Sequence, residues 1–209
     1  MDRKLGREFF GRPALEVARD LIGKRLVRAS PEGLVCGTIV EAEAYSGVND
    51  PASHAYGGRR TARNEVLWGP PCHAYVYLIY GMYLCFNIVC STEGDPQGVF
   101  VRAVRPLEGV DLMARRRGLE VTNERTRRQL CNGPSKLCIA FAIGRDLYGI
   151  DLQGDVLYVL DGEAGGKVVA APRVGVDYAG EAAAWPWRFL LEGDPYVSRK
   201  AKHVEAPLP

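Results

Sequence analysis

Two runs rich in β-branched and aromatic residues, Ala74–Tyr80 and Tyr83–Cys90, meet across Gly81-Met82. No other feature of the chain constrains its fold as much. Such runs split by a glycine-containing turn predict a tight antiparallel hairpin. Further strand-like runs occur at Arg25–Ala29 and Leu34–Tyr45, on either side of the turn signal Ser30-Pro31-Glu32-Gly33, and at Gly98–Val104. Val156–Leu160, Lys167–Val176 and Arg188–Leu191 add three more. Helical signals are fewer. Pro13 can open a helix whose stripe Leu15, Val17, Ala18, Leu21 and Ile22 stops at Gly23. Residues 107–130 read as one Arg-rich helical excursion, and Pro134–Ile143 as a short helix. Strands joined mostly by turns, with helices at the ends and in the middle, predict an α+β fold on an antiparallel sheet. A length of 209 residues favours a single domain, 1–209, with a core at about 8–200 and a short flexible C-terminal end at Ala206-Pro207-Leu208-Pro209.

Composition narrows the class. Hydrophobic residues at 47% and charged residues at 25% exclude a disordered chain, and no apolar run approaches the ~18 residues of a membrane helix. The charged N-terminus has no apolar stretch after it, so no secretory signal is expected and the location is cytoplasmic. Six cysteines in such a chain read as reduced thiols, and the three histidines (His54, His73, His203) lack metal spacing. Neither a metal nor a cofactor is expected. Net charge is only +2, but residues 101–128 hold eight basic and four acidic side chains, whereas 31–58 hold four acids and no bases. Arginine outnumbers lysine 21 to 6, which suits phosphate oxygens but equally suits solvated helix faces.

Six of the ten tyrosines fall between Tyr45 and Tyr83. Strand alternation sorts them. Val40, Ala42 and Ala44 share one face, while Ile39, Glu41, Glu43 and Tyr45 share the other, which sets a carboxylate beside a ring. Tyr75, Tyr77 and Ile79 face one way, as do Tyr83, Cys85 and Asn87 on the returning strand, and Tyr80 lies at the turn. Any one of these tyrosines is an ordinary strand residue. As a set, rings around a carboxylate suggest a slot for a flat ligand such as a base, and a ring at a hairpin tip suits a wedge. A pair of glycosidase carboxylates is awkward on one strand face, so one glutamate activating water is simpler. Without further context, an exposed strand carboxylate or an ion pair is the better explanation of either residue. The 46–72 segment is turn-rich and carries His54, Arg59, Arg60 and Arg63, a content that favours function over filler. Lys136 in Gly-Pro-Ser-Lys is only a weak phosphate-loop signal, and there is no dinucleotide fingerprint.

Val40-Glu-Ala-Glu-Ala-Tyr-Ser-Gly47, Asp50-Pro-Ala-Ser-His-Ala55, Arg63-Asn64 and the hairpin Tyr75-Val-Tyr-Leu-Ile-Tyr-Gly-Met-Tyr-Leu-Cys-Phe-Asn87 together resemble the alkyladenine (3-methyladenine) DNA glycosylase family, bacterial type. Arg102–Gly109, Gly133–Leu137, Arg173–Val176 and Gly180-Glu181 extend the resemblance over about residues 8–200. The resemblance implies one mixed domain with a curved antiparallel sheet, peripheral helices and a protruding hairpin. It also implies a monomer, acting on double-stranded DNA that contains a damaged purine and needing neither cofactor nor metal. On this reading Glu43 activates the attacking water, and Arg102 helps hold that water and the flipped nucleotide's phosphate. Tyr45 and Tyr77 stack on the flipped base, His54 hydrogen-bonds it or its phosphate, and Asn87 excludes the amino group of guanine. Tyr80, with Met82 beside it, fills the vacated stack. Arg63, Lys136 and Gly175 contact phosphates. Two other classes fit the aromatic and basic residues: a non-enzymatic nucleic-acid binder, and a glycosidase of free nucleosides. A carboxylate facing a polyanion separates the enzyme from the binder, and steep salt dependence separates DNA from nucleoside substrates.

Overall fold

In a computed structural model the chain is described from residue 3 to residue 201. His203 and the C-terminal Ala-Pro-Leu-Pro lie outside the described residues. Five α-helices, α1 (Arg7–Phe10), α2 (Ala14–Asp20), α3 (Val110–Arg117), α4 (Glu124–Arg128) and α5 (Pro134–Ala140), accompany eight strands. The strands are β1 (Arg25–Ser30), β2 (Gly33–Tyr45), β3 (Ala74–Ile79), β4 (Tyr83–Cys90), β5 (Gln97–Glu108), β6 (Leu157–Leu160), β7 (Val168–Ala171) and β8 (Arg188–Leu191). Every strand pairing is antiparallel, in the order β3-β4-β5-β2-β1-β6, and β8 joins β2 to β7. The result is a mixed α+β fold whose sheet curls into a half-barrel, with β7–β8 as an added hairpin.

β2 organises the sheet. One edge pairs with β5 along nearly its whole length; the other pairs with β1 at Gly33–Thr38 and with β8 at Glu41–Glu43. The sheet forks where that edge changes partner, and the register slips there. Val40 is the extra residue on β2, and Arg102 is the extra residue on β5. A bulge leaves one residue outside the ladder and turns its side chain, a device common beside active sites. The slip corrects the expectation that Ile39 shares the face of Glu41. Ile39 joins Val40, Ala42 and Ala44 in the main core, because the extra residue at Val40 shifts the alternation by one. Gly37 lies just before the fork, where β2 and β5 come close. A Cβ there would lie 2.3 Å from Val104 Cγ1, so only glycine fits without repacking.

The main core joins α2, α3 and α5 to the sheet and contains Phe10, Leu21, Leu26, Phe86, Met113, Leu137, Phe141 and Phe189, all essentially without solvent contact. Burying a side chain of this size contributes roughly 1.5–3 kcal/mol. All six cysteines are buried and unbridged. Among the described residues no helix is long and apolar enough to cross a membrane.

Several boundaries differ from the sequence reading. The 107–130 excursion is not one helix. β5 runs on to Glu108, Gly109 turns the chain at φ 72°, and α3 ends at Gly118, φ 59°. α4 then starts afresh, with Asn123 and Thr126 capping each other. The Lys167–Val176 strand shrinks to Val168–Ala171, since Pro172 cannot donate to the ladder. β3 ends at Ile79, and Tyr80 lies in the turn as its position predicts.

Candidate active site

The hairpin turn is formed by Tyr80, Gly81 and Met82. Tyr80 and Gly81 both have positive φ, 51° and 72°. For glycine this is free, whereas a tyrosine held there is strained by about 1–2 kcal/mol. The turn lifts both side chains into solvent: Tyr80 is 82% exposed and Met82 69%.

Behind the hairpin lies a cavity of about 580 Å³, within the size range of small-molecule sites. β2, β3, β4 and β5 each contribute a wall: Tyr45; Tyr75 and Tyr77; Cys85 and Asn87; Phe100 and Arg102. His54 comes from the long loop, and Val174 and Gly175 from the connection after β7. Tyr80 stands at the lip. The alternation read from sequence therefore brings Tyr75 with Tyr77, and Cys85 with Asn87, into one space. The Tyr75 and Tyr77 rings lie 5.0 Å apart, and His54 meets Tyr77 edge-on at 4.7 Å.

Glu43 is completely buried and sits immediately behind this lining. Its Oε2 accepts from the Tyr45 hydroxyl at 3.1 Å and from Arg102 Nη1 at 3.3 Å, and its Oε1 accepts from the Val174 amide at 2.8 Å. All three donors belong to residues that line the cavity. Burial, the largest influence, pushes the Glu43 carboxyl above the usual carboxylate range. Arg102 and the Val174 amide pull the other way, as does the Tyr45 hydroxyl, while the Glu41 charge adds to the rise. A carboxylate tuned upward in this way is a better proton acceptor near neutral pH. The Tyr45 and Tyr77 hydroxyls are pushed well up, chiefly by burial, and stay protonated.

His54 Nδ1 lies 2.8 Å from the Tyr75 hydroxyl. Burial, then the charges of Arg63 and Arg59, lower its pKa to about 4. The ring is therefore neutral at physiological pH and offers a directed hydrogen bond instead of a charge. The backbone carbonyl of His54 is held by Asn64 Nδ2 at 3.0 Å. Asn87 Nδ2 donates to the Tyr75 carbonyl at 3.2 Å, which fixes its amide.

The basic residues singled out in sequence divide. Arg63 packs its guanidinium over the Tyr77 ring at 5.0 Å and donates to the Leu78 carbonyl. Lys136 bonds Asn132 Oδ1 at 2.9 Å; its neighbours Pro134 and Ser135 line the cavity, and it does not. Gly175, at φ 75°, lies in the wall beside Val174. Among the described residues no three His, Cys, Asp or Glu side chains gather as a metal site.

Two groups had no role in the sequence reading. Arg173 and Asp50 form a bidentate pair at 2.6 and 2.8 Å with both side chains fully buried. Arg173 also donates to the Ala44 carbonyl and lies over the Tyr45 ring at 4.8 Å, so it ties the His54 loop to the Val174 loop. Both residues lie in motifs that carry the family resemblance, which was the available signal. Glu41 is the second: it is fully buried, and its partners lie 61 to 157 residues away. It too lies in a motif that carries the resemblance, Val40–Gly47, but nothing local tells its work from that of Glu43.

Residues 8–195 match the profile of the family described as Methylpurine-DNA glycosylase (MPG). A protein of Methanocella arvoryzae is 52% identical over 198 residues, spanning 94% of this chain and 96% of its own. One of Clostridium acetobutylicum is 49% identical over 199 residues, spanning 93% and 97%. A third, from Desulfitobacterium hafniense, is 48% identical over 202 residues, spanning 95% and 100%. Each bears the name "Putative 3-methyladenine DNA glycosylase".

Proposed function

The chain belongs to the methylpurine-DNA glycosylase family and is a hydrolase of the DNA-3-methyladenine glycosylase type, and from that premise we propose how its residues divide the work. Membership implies base excision repair of alkylated purines. The finer reading is a monofunctional enzyme that flips 3-methyladenine, 7-methylguanine, hypoxanthine or ethenoadenine from duplex DNA.

Glu43 takes a proton from water, whose oxygen attacks C1′ of the sugar. The N-glycosidic bond breaks, and its electron pair leaves with the purine. Arg102, bonded to the same carboxylate, orients the water and the sugar side of the site. As positive charge develops on the sugar, the Glu43 carboxylate stabilises it. Tyr45 and Tyr77 sandwich the base, neutral His54 donates or accepts at its edge, and Asn87 bars the guanine amino group. Tyr80 and Met82, exposed on a strained turn, enter the gap left in the stack. Arg63, Lys136 and Gly175 contact the backbone phosphates. A cationic 3-methyladenine leaves readily, whereas neutral hypoxanthine needs a proton as it departs.

The observation that carries this reading is the buried, upward-shifted Glu43 joined to Arg102 directly behind an aromatic cavity. Duplexes carrying one defined lesion each, incubated with enzyme and then cleaved by alkali at abasic sites, test it. Cleavage of the four named lesions, with normal purines spared, is expected. Cleavage of 3-methyladenine alone would reject the broad substrate range, and release of normal guanine would reject the role of Asn87.

A further inference from the structure

Glu41 stands on the same strand as Glu43, and its surroundings give it different work. Its Oε1 accepts from Arg102 Nε at 3.1 Å, from Arg188 Nη1 at 2.9 Å and from the Ser198 hydroxyl at 2.9 Å; its Oε2 accepts from the Ser198 amide. Four donors converge on this carboxylate, which has no solvent contact, and two of the three residues that supply them, Arg188 and Ser198, do not line the cavity. Arg102 is held at all three nitrogens: Nε by Glu41, Nη1 by Glu43 and Nη2 by the Ser198 hydroxyl at 3.3 Å. It is also the extra residue of the β5 bulge, so the ladder alone does not fix where its side chain goes.

The segment after β8 depends on the same carboxylate. Asp194 is anchored to Arg105 at 3.1 Å, Ser198 is doubly bonded to Glu41, and the Arg199 carbonyl accepts from Arg188 Nη1 at 3.1 Å. Arg199 then reaches the cavity wall. Glu41 thus lies at the fork of the sheet and joins β5, β8 and the C-terminal strap.

We propose that Glu41 is a positioning residue for base excision: it aims Arg102 at Glu43 and locks residues 194–200 against the site. The proposal rests on the roles assigned above to Glu43 and Arg102. The charges support it, because two carboxylates and two guanidinium groups (Arg102 and Arg188) balance in a solvent-free space, where an unpaired charge is costly. Removing the Glu41 charge leaves a positive surplus beside Glu43. Other groups facing Glu43 are Tyr45 on its own strand, Tyr77 on β3, Cys85 on β4, and Val174 and Tyr178 from the loops after β7. None of these is charged, and Arg173, which lies over the Tyr45 ring, is neutralised by Asp50. The surplus therefore favours ionised Glu43 and moves the acid limb of activity to lower pH.

Single-turnover release of 3-methyladenine from methylated duplex DNA, measured across pH, tests this with four variants. Glu41→Gln should slow release by about 10²-fold, as a small misplacement can, leave DNA affinity unchanged and displace the acid limb downward. Glu41→Asp keeps the charge and should restore the limb. Ser198→Ala leaves the charge in place, and it should lose about 10-fold in rate with the limb unmoved. Folded Glu41→Gln and Ser198→Ala enzymes with wild-type rates and an unmoved limb would overturn the positioning role. If Glu41→Gln does not fold, Ser198→Ala decides, and a wild-type rate there overturns it. Glu43→Gln separates the two readings. If it is inactive, failure of the Glu41 variants to respond refutes only the positioning role; if it is active, the assignment of Glu43 falls first.

Discussion

Replacing Glu43 with glutamine tests the chemistry while nearly preserving shape. The carboxylate accepts three hydrogen bonds, one at Oε1 and two at Oε2. The amide keeps one oxygen. Pointing that oxygen at the Val174 amide leaves its NH2 against Tyr45, whose hydroxyl can turn to accept, and against Arg102, which cannot. One charge-assisted bond is lost, typically worth about 1.5–3 kcal/mol. Against this stands relief from burying a charge. The Glu43 pKa is higher folded than unfolded, so ionisation opposes folding, and that cost appears as pH rises through the folded pKa. The upward direction means that above that pH this relief offsets part of the lost bond and of the positive surplus left at Arg102. The variant should therefore lose less stability, relative to wild type, at pH 8 than at pH 5.

Chemistry should show a plain loss. Loss of a general base slows a reaction by about 10²–10⁴-fold, equivalent to roughly 2.7–5.4 kcal/mol of barrier. Binding of lesion DNA should persist or tighten, since a buried negative charge near phosphates disfavours the ground-state complex. Single-turnover excision from a defined-lesion duplex, beside an equilibrium binding titration, separates the two effects. In the wild type, the acid limb of excision should lie above the ordinary carboxylate range. Excision by Glu43→Gln within a few-fold of wild type would refute the assignment, as would a loss of rate explained wholly by lost affinity.

Tyr80→Ala should weaken capture of the lesion more in a paired duplex than opposite a mismatch, where extrusion already costs less; equal penalties would reduce Tyr80 to a surface residue. Asp50→Ala strands the buried Arg173 guanidinium and should cost about 3–5 kcal/mol in denaturant unfolding, whereas a cost under 1 kcal/mol would show the pair to be dispensable. His54 has a folded pKa of about 4 against an ordinary 6.5, so stability is complete above pH 6.5 and falls as pH drops toward 4. About 3 kcal/mol of that acid sensitivity should vanish in His54→Asn, and identical pH–stability curves for the two proteins would contradict it.

Much of the site is legible in the chain because it depends on short-range rules. Period-two alternation put Tyr75 with Tyr77, and Cys85 with Asn87, on common faces, and Gly81 beside Tyr80 marked the turn. Hairpin pairing is local, so composition and spacing suffice for it. The break inside 107–130 has a local signal in Gly109 and Gly118, both at positive φ, but the run of β5 on to Glu108 is set by its pairing with β2, which the stretch alone does not record. Ile39 was misplaced because a bulge depends on two strands at once, and neither strand alone records the slip at Val40. Glu41 marks the limit of a sequence reading. Its residue type and strand position match those of Glu43, yet one carboxylate is enclosed by Arg102, Arg188 and Ser198 while the other adjoins the cavity. What divides them is the company brought by segments 61 to 157 residues away. A carboxylate's proton affinity is set by burial and by nearby charge, and in this chain both come from tertiary contacts.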